Sequence, residues 1–351
     1  MPGISYTQQV GDFISSTLQN TSEEISDNIG KKVWYLSKLM EKKETEAGGN
    51  TIRRTIEYAL NSTFQSFYGY DMVPIVAQET TTDTDWTWKE LKANWVLSRR
   101  EAVLNKGKAK VRKLVDVKQR SVTRAMREGM NGQLLNPSSF TSVGNSSKDL
   151  TPLSMLVSTT ALTVGGISES TYGYWAPQRA ASASTNSTAM AGSAFVNECR
   201  SFSNTCGQNS DGFPDLGVWS KRSYEKYVSI LDTKVRYTNT TSAKNGFRSV
   251  MCENMDVYWD QLVPHVTANT STVIPYTGGG EDVNYFLNTE FLYLIVEEST
   301  DMVQTPAVSH QVNGQEATSG AMLFMGEHVT TNRRAQGVLY GVAPASITAT
   351  T

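Results

Sequence analysis

The chain has 351 residues, a net charge of −2, 39% hydrophobic and 19% charged residues. That balance excludes a disordered chain, allows a sizeable core and, by length, suggests about two domains. No stretch approaches the roughly 20 apolar residues of a membrane span. The start, Met1 to Gln8, lacks the basic and apolar runs of a signal peptide. Cys199, Cys206 and Cys252 form no CxxC and fit reduced cytosolic thiols.

Residues 1–49 read as an arm. Thr21 to Glu24 has capping-box spacing, and Ile25, Ile29, Val33, Leu36 and Met40 then keep helical period until Gly48-Gly49. A single amphipathic helix needs another surface, its own domain's or a neighbour's. Residues 50–98 read as a two-stranded excursion. Ile52, Ile56, Tyr58 and Leu60 lie in the first run. In the second run, Trp86 to Leu97, large apolar residues recur every second position apart from Glu90 and Lys92 in its middle: Trp86 and Trp88, then Leu91, Ala93, Trp95 and Leu97. Between them, Phe67 to Tyr70 is aromatic, and Asp71 to Asp85 is rich in Thr and Asp and reads as loop. Such an excursion buries little alone and is expected to be stable only against something else.

From Arg99 to Gln133 there is no proline, which predicts one helix of roughly 50 Å. Eleven basic and three acidic residues give this segment +8 and leave −10 on the other 316 residues. The basic set includes Lys106, Lys108, Lys110, Arg112, Lys113, Lys118, Arg120 and Arg124. Its asymmetry points to a polyanionic partner, to an acidic neighbour subunit, or to a plain solvated face. After the break at Asn136-Pro137, residues 150–283 read as a mixed unit. It holds an apolar helical run from Leu153 to Leu162, a turn at Val164 to Ile167, a helix near 189–204, a buried strand from Pro214 to Trp219 and a helix from Ser223 to Leu231. Residues 284–343 are strand-rich, with Tyr285 to Val296 as one long run, then Ala321 to Met325 and Val338 to Val342.

Catalytic chemistry is hard to place. His265, His310 and His328 are far apart without ligand spacing, and no GxSxG or GxxxxGK[ST] occurs. Gly278 to Asp282 lacks a phosphate-loop lysine. No cofactor, no metal and no enzyme activity are expected.

The order of parts resembles the Hong Kong 97 fold of tailed-bacteriophage major capsid proteins, an α+β architecture. Gly48-Gly49, Ile52 to Leu60 and Tyr68 to Asp71 look like the start of its extended E-loop. Trp95 to Glu101 with Asn105 to Gly107 resembles the passage into its spine helix. Leu162 to Ser168 with Tyr174-Trp175, then Pro214 to Trp219 with Tyr224 and Tyr227, then Gly246-Phe247, are similar to its axial landmarks. Asn332 to Gly341 resembles its C-terminal close.

The resemblance implies an N-terminal arm at 1–49, an E-loop at 50–98, and a spine helix with part of the peripheral domain at 99–149. It further implies an axial domain at 150–283, peripheral strands at 284–330, and a return strand and tail at 331–351. Pentamers and hexamers of this chain would build an icosahedral shell around double-stranded DNA, assembled in host cytoplasm and located in the virion. Trp86, Trp88, Trp95, Ile52, Ile56 and Tyr58 of the E-loop would contact neighbouring subunits, as would Ile25, Ile29, Val33, Leu36 and Met40 of the arm. The implied partners are copies of this chain, a separate scaffolding protein, a portal and packaged DNA, with a decoration protein left open. Neither removal of an N-terminal segment nor a lysine–asparagine cross-link through Lys89 or Lys92 and Asn332 is expected. An encapsulin-type compartment shares the fold and stays as an alternative. A DNA-binding module using residues 99–133 is the other.

Overall fold

A computed structural model describes residues 33–72, 76–104, 114–135, 148–182, 193–208, 212–231, 250–263, 282–309 and 316–342. Its helices are α1 (Trp34–Glu41), α2 (Arg99–Leu104), α3 (Leu114–Leu135), α4 (Leu153–Leu156), α5 (Ser193–Gln208) and α6 (Lys221–Leu231). The strands are β1 (Glu44–Glu46), β2 (Ile52–Glu57), β3 (Thr81–Trp86), β4 (Lys89–Ser98), β5 (Thr163–Val164), β6 (Ile167–Ser168), β7 (Gln178–Ala181) and β8 (Leu216–Trp219). They continue as β9 (Val250–Cys252), β10 (Met255–Trp259), β11 (Asp282–Leu287), β12 (Leu292–Glu297), β13 (Val303–Gln304), β14 (Val308–Ser309), β15 (Ala317–Thr330) and β16 (Gly337–Val342).

Two compact units emerge. One contains Leu91–Gly129 and Ser299–Phe324. In it β13 and β14 pair antiparallel with β15, with Val303 opposite Leu323 and Val308 opposite Ser319. Trp95 of β4 is buried, and Gly320 of β15 lies beneath its ring: a Cβ there would stand 2.7 Å from the indole. Glycine is required at that crossing because the backbone and a tryptophan face share the space.

The other unit contains Val33–Glu90, Met130–Glu298 and Met325–Thr351. Its main sheet runs β7-β16-β11-β8-β10-β9. β8 pairs parallel with β10 and antiparallel with β11, while β16 pairs antiparallel with β11 and parallel with β7. All six residues of β11 and all four of β8 are buried, as expected for central strands covered on both faces. α5 and α6 cover one face through Phe195, Cys199, Phe202, Trp219, Tyr227 and Phe286. The boundary placed at 283/284 therefore falls inside β11, whose partners are β8 and β16.

Three sequence expectations differ from the structure. The helix read from Leu153 to Leu162 stops at Leu156, because arginine side chains take the carbonyls of Met155, Leu156, Ser158 and Thr160. The run Tyr285 to Val296 is two strands joined by a turn in which Phe291 N donates to Asn288 O. Finally, the partner of β2 is the Thr/Asp-rich β3, read as loop, and not the Trp86 to Leu97 run. Those polar residues form cross-strand pairs: Arg53 with Asp85 at 2.8 Å and Thr55 with Asp83 at 2.6 Å. The run itself becomes the end of β3 and then β4, which pairs with β15. In the span predicted as one helix, 99–133, the described residues form α2 and α3, the latter running on to Leu135, and residues 105–113 lie outside the described residues.

Candidate functional site

The β2–β3 hairpin is rooted in the second unit. Ile52 sits opposite Trp86, and both are buried. Trp86 lies against Gly165 in the β5–β6 turn, where a Cβ would stand 3.0 Å from its ring and where φ is +60°. Asp85 N donates to Gly165 O at 3.0 Å, and Trp175 Nε1 donates to Val164 O at 2.9 Å. Arg54 adds ion pairs to Glu44 and Glu46 of β1, at 2.6 and 2.7 Å.

Beyond this root the chain changes character. Leu60 is 90% exposed, Phe64 94%, Tyr68 89%, Tyr70 104% and Met72 93%, with Phe67 and Val76 also exposed. Isolated exposed apolar residues are ordinary, but here seven fall within the seventeen positions from Leu60 to Val76. The tip is nevertheless shaped. Tyr68 N donates to Asp71 Oδ2 at 2.9 Å, Asp71 N donates to Tyr68 O at 3.2 Å, and Gly69 takes φ +56°. At the base, Tyr58 stacks on Tyr174 with centroids 5.1 Å apart, and Tyr174 meets Tyr172 at 5.8 Å. A cleft of about 680 Å³ opens beside them, lined among others by Glu57, Tyr58, Tyr174, Phe291, Asn332 and Arg334.

Behind the cleft lies a buried charge cluster that sequence reasoning missed. Arg333 is fully buried, and Glu169 is 7% exposed. Arg179 donates to both oxygens of Glu169, at 2.5 and 2.7 Å, and Arg333 approaches Glu169 Oε2 at 3.4 Å. Arg333 also donates to the carbonyls of Leu156 (2.8 Å), Trp175 (3.1 Å) and Met155 (3.3 Å) and to Ser158 Oγ (3.2 Å). Burial pulls its pKa down to about 10, while the Glu169 carboxylate works against that shift. The turn is fixed locally by Asn332, which accepts from Ala335 N at 3.2 Å. Gln336 fastens it to Asn288, donating to its carbonyl at 3.0 Å and accepting from its N–H at 2.9 Å. The 162–168, 174–175 and 332–341 runs thus meet at one place. The only sequence signal was the pair of adjacent arginines at the start of the closing run.

The expected contact residues divide. Ile52, Ile56, Trp86 and Trp95 are covered by their own chain, a correction to their reading as neighbour-facing. Alternation predicts an apolar side, and that side faces inward here. Tyr58 and Trp88 are half-buried. In the arm, Ile25 and Ile29 lie outside the described residues. Leu36 is buried within this chain, while Val33 and Met40 are half-buried. The covered stripe of α1 is Trp34, Tyr35, Leu36 and Leu39. Trp34 stacks on Tyr258 at 3.8 Å, and Leu36 N donates to Asn131 Oδ1 at 3.3 Å.

Tyr35 reaches His328. His328 Nδ1 lies 3.0 Å from Thr151 O, which only accepts, so Nδ1 carries the proton. Nε2 then accepts from the Tyr35 hydroxyl at 3.2 Å. Burial holds His328 neutral, with its pKa lowered to about 4. The adjacent Glu327 is raised by burial to about 7, opposed by the N–H groups of Thr151 and His328 and by the Lys89 charge.

Of the basic candidates, Lys106, Lys108, Lys110, Arg112 and Lys113 lie outside the described residues. Lys118 is engaged inside its unit, donating to Val96 O at 2.7 Å and pairing with Glu101 at 2.9 Å, which corrects its reading as DNA-facing or arm-facing. Arg120 is exposed and Arg124 half-buried. Among the described residues no group of three or more His, Cys, Asp or Glu side chains could hold a metal. Burial raises the pKa of Cys206 to about 12 and of Cys252 to about 11, the reverse of what a reactive thiol needs. No helix among the described residues is long and apolar enough to cross a membrane.

No protein-family model matches the sequence, and no curated protein matches it. The structure is similar to the cyanophage A-1(L) capsid subunit, with a TM-score of 0.64 at 14% identity over 92% of this chain and 96% of that one. The chain has the Hong Kong 97-type capsid fold. It is also similar to the capsid of an empty GTA particle, with a TM-score of 0.59 at 8% identity over 93% and 95% of the two chains. A third similar structure is the SrpI encapsulin of Synechococcus elongatus, with a TM-score of 0.57 at 9% identity over 94% of each chain. The fold is therefore kept where sequence identity is nearly gone, and it is shared by a cyanophage capsid, a GTA capsid and an encapsulin.

Proposed function

We propose that this chain is a major capsid protein that assembles through pentamers and hexamers into an icosahedral shell around double-stranded DNA. The observation that carries the reading is the capsid fold over more than nine-tenths of the chain. The apolar loop tip supports it, because those side chains have no cover within the described residues of this chain. In this reading the hairpin and its loop are the E-loop, and α2 and α3 belong to the spine. The six-stranded sheet belongs to the axial domain, and β12 to β15 belong to the peripheral domain. Copies of this chain, a separate scaffolding protein, a portal and DNA are the partners, the virion is the site of action, and catalysis is no part of the role. Exposed cations such as Arg120 face the packaged DNA or acidic arms of adjacent chains.

The test is expression with and without the scaffolding protein, followed by electron microscopy. Closed icosahedral particles are expected. Protein that stays monomeric at high concentration under both conditions defeats the reading. The encapsulin likeness supports a second one, a compartment around an enzyme. Particles purified from the native source separate the two by content: nuclease-protected DNA for the first, a co-purifying enzyme for the second.

A further inference from the structure

We propose that α1 is a releasable clip whose N-terminal cap is lent by Asn131 of α3, so that docking of this helix depends on the ends of α3 and β10. The device is internal to the chain and holds whatever the chain assembles into.

The sequence of α1 cannot hold its own first turn. It has eight residues, short of the roughly 12–15 at which an isolated helix becomes marginal in water. Val33 stands at the N-cap with extended backbone and offers no side-chain oxygen. No acidic residue follows in the first turn to meet the helix dipole. The first N–H groups of any helix have no acceptor within it. At the third position of α1, Leu36 N donates instead to Asn131 Oδ1 at 3.3 Å. That is the bond a Ser, Thr or Asp at the N-cap would make.

Asn131 is held in this role from behind. It is buried, and its Nδ2 donates to Asp260 Oδ2 at 3.2 Å. Asp260 directly follows β10 and is itself fixed. Its Oδ1 accepts from Leu262 N at 2.9 Å, and its N–H donates to Trp219 O at 3.3 Å. A backbone N–H only donates and a carboxylate only accepts, so the Asn131 amide lies one way round. No other side chain of that length offers an acceptor to one neighbour and a donor to the other. Aspartate would set two carboxylates face to face, and leucine would serve neither partner.

The remaining anchors of α1 are also single side chains on separate elements. Trp34 stacks on Tyr258 of β10, and the Tyr35 hydroxyl reaches His328 of β15. By contrast, β11 is paired along both edges, with β8 and β16. α1 therefore opens while the six-stranded sheet stays closed. A small shift of α3 against β10 takes one of its two partners from Asn131, and the cap is lost. The helix is released by that displacement without unfolding of the sheet.

The test is hydrogen exchange of the full-length chain, read by mass spectrometry on peptides covering 34–41 and 282–287. In the unsubstituted chain 34–41 is expected to exchange at least roughly tenfold faster than 282–287. Equal rates mean that α1 opens only with the whole fold and overturn the clip. Asn131→Leu, close in size, is expected to speed exchange of 34–41 a further tenfold or so and to leave 282–287 unchanged. No change at 34–41, or an equal rise in both peptides, overturns the proposal.

A cap supplied by α1 itself separates capping from packing. Val33→Thr keeps the shape of valine and adds the missing oxygen. Added to Asn131→Leu, it is expected to restore most of the protection of 34–41. A packing defect at position 131 would not respond to a hydroxyl at position 33, so failure to restore protection overturns the lent cap. If Asn131→Leu does not fold, the isosteric Asp260→Asn carries the test. It sets an amide against either Asn131 Nδ2 or Leu262 N and is expected to speed exchange of 34–41 roughly threefold. Unchanged exchange in that variant overturns the relay.

Discussion

The loop tip and the closing turn both break the rule of apolar inside and charged outside, in opposite directions. The tip holds Leu60, Phe64, Tyr68, Tyr70 and Met72 in solvent. The closing turn holds Arg333 at full burial. The charge is affordable because its own chain satisfies it, through a shared carboxylate and a set of carbonyls about 160 to 180 residues away in sequence. Nothing in the described chain does the same for the tip. One anomaly is resolved within the fold and so reads as stability. The other is left open and so reads as assembly.

Changes that break this contrast should separate folding from assembly. The largest effect on folding is expected from Arg333→Ala, which leaves several buried carbonyls without donors. Urea unfolding of the unassembled chain should show a loss of roughly 3–5 kcal/mol. Replacing Tyr68, Tyr70 and Met72 together by serine should do the reverse. Stability should stay within about 0.5 kcal/mol, as at other exposed positions, while particle yield by light scattering collapses. If those changes unfold the chain instead, the two regions do not differ as argued.

Gly165→Ala probes the root that joins the regions. A side chain at φ +60° beneath Trp86 should cost about 1–3 kcal/mol and lower the urea midpoint. Lys118→Ala should do least among these, under about 1 kcal/mol, because the Lys118–Glu101 pair is partly exposed and screened.

The Glu327–His328 pair sharpens the contrast by pH. Glu327 has a folded pKa raised to about 7, so the native state binds its proton more tightly. Its contribution is present at low pH and is lost as pH rises from about 4.5 through 7. His328 has a folded pKa lowered to about 4, so the native state resists protonation. Its contribution is present above about 6.5 and is lost as pH falls through 4. The two oppose each other between about pH 4.5 and 6.5, and the unsubstituted chain should show a shallow profile there. Glu327→Gln should expose the histidine slope, giving a urea midpoint that falls on acidification. His328→Gln should expose the glutamate slope, giving a midpoint that rises on acidification. Parallel profiles for both variants would refute the assignment.

Much of this was legible in the sequence. The readings at Ser223 to Leu231 and Pro214 to Trp219 fall within two residues of α6 and β8, and the one near 189–204 within four of α5, because a repeating side-chain pattern is a local property. The order of landmark runs pointed to the fold, since order survives where identity does not. Periodicity could not say whose surface covers an apolar side: Trp95 alternates with Leu91, Ala93 and Leu97 and is buried at home, while Phe64 and Tyr70 follow no pattern and stand in water. Nor could it pair Thr81–Trp86 with Ile52–Glu57, because that strand is held by cross-strand ion pairs and threonines rather than by apolar alternation. The Arg333–Glu169–Arg179 cluster was beyond reach for the same reason. A hydrogen bond between groups about 160 residues apart depends on where the backbone brings them, and only the tertiary structure decides that.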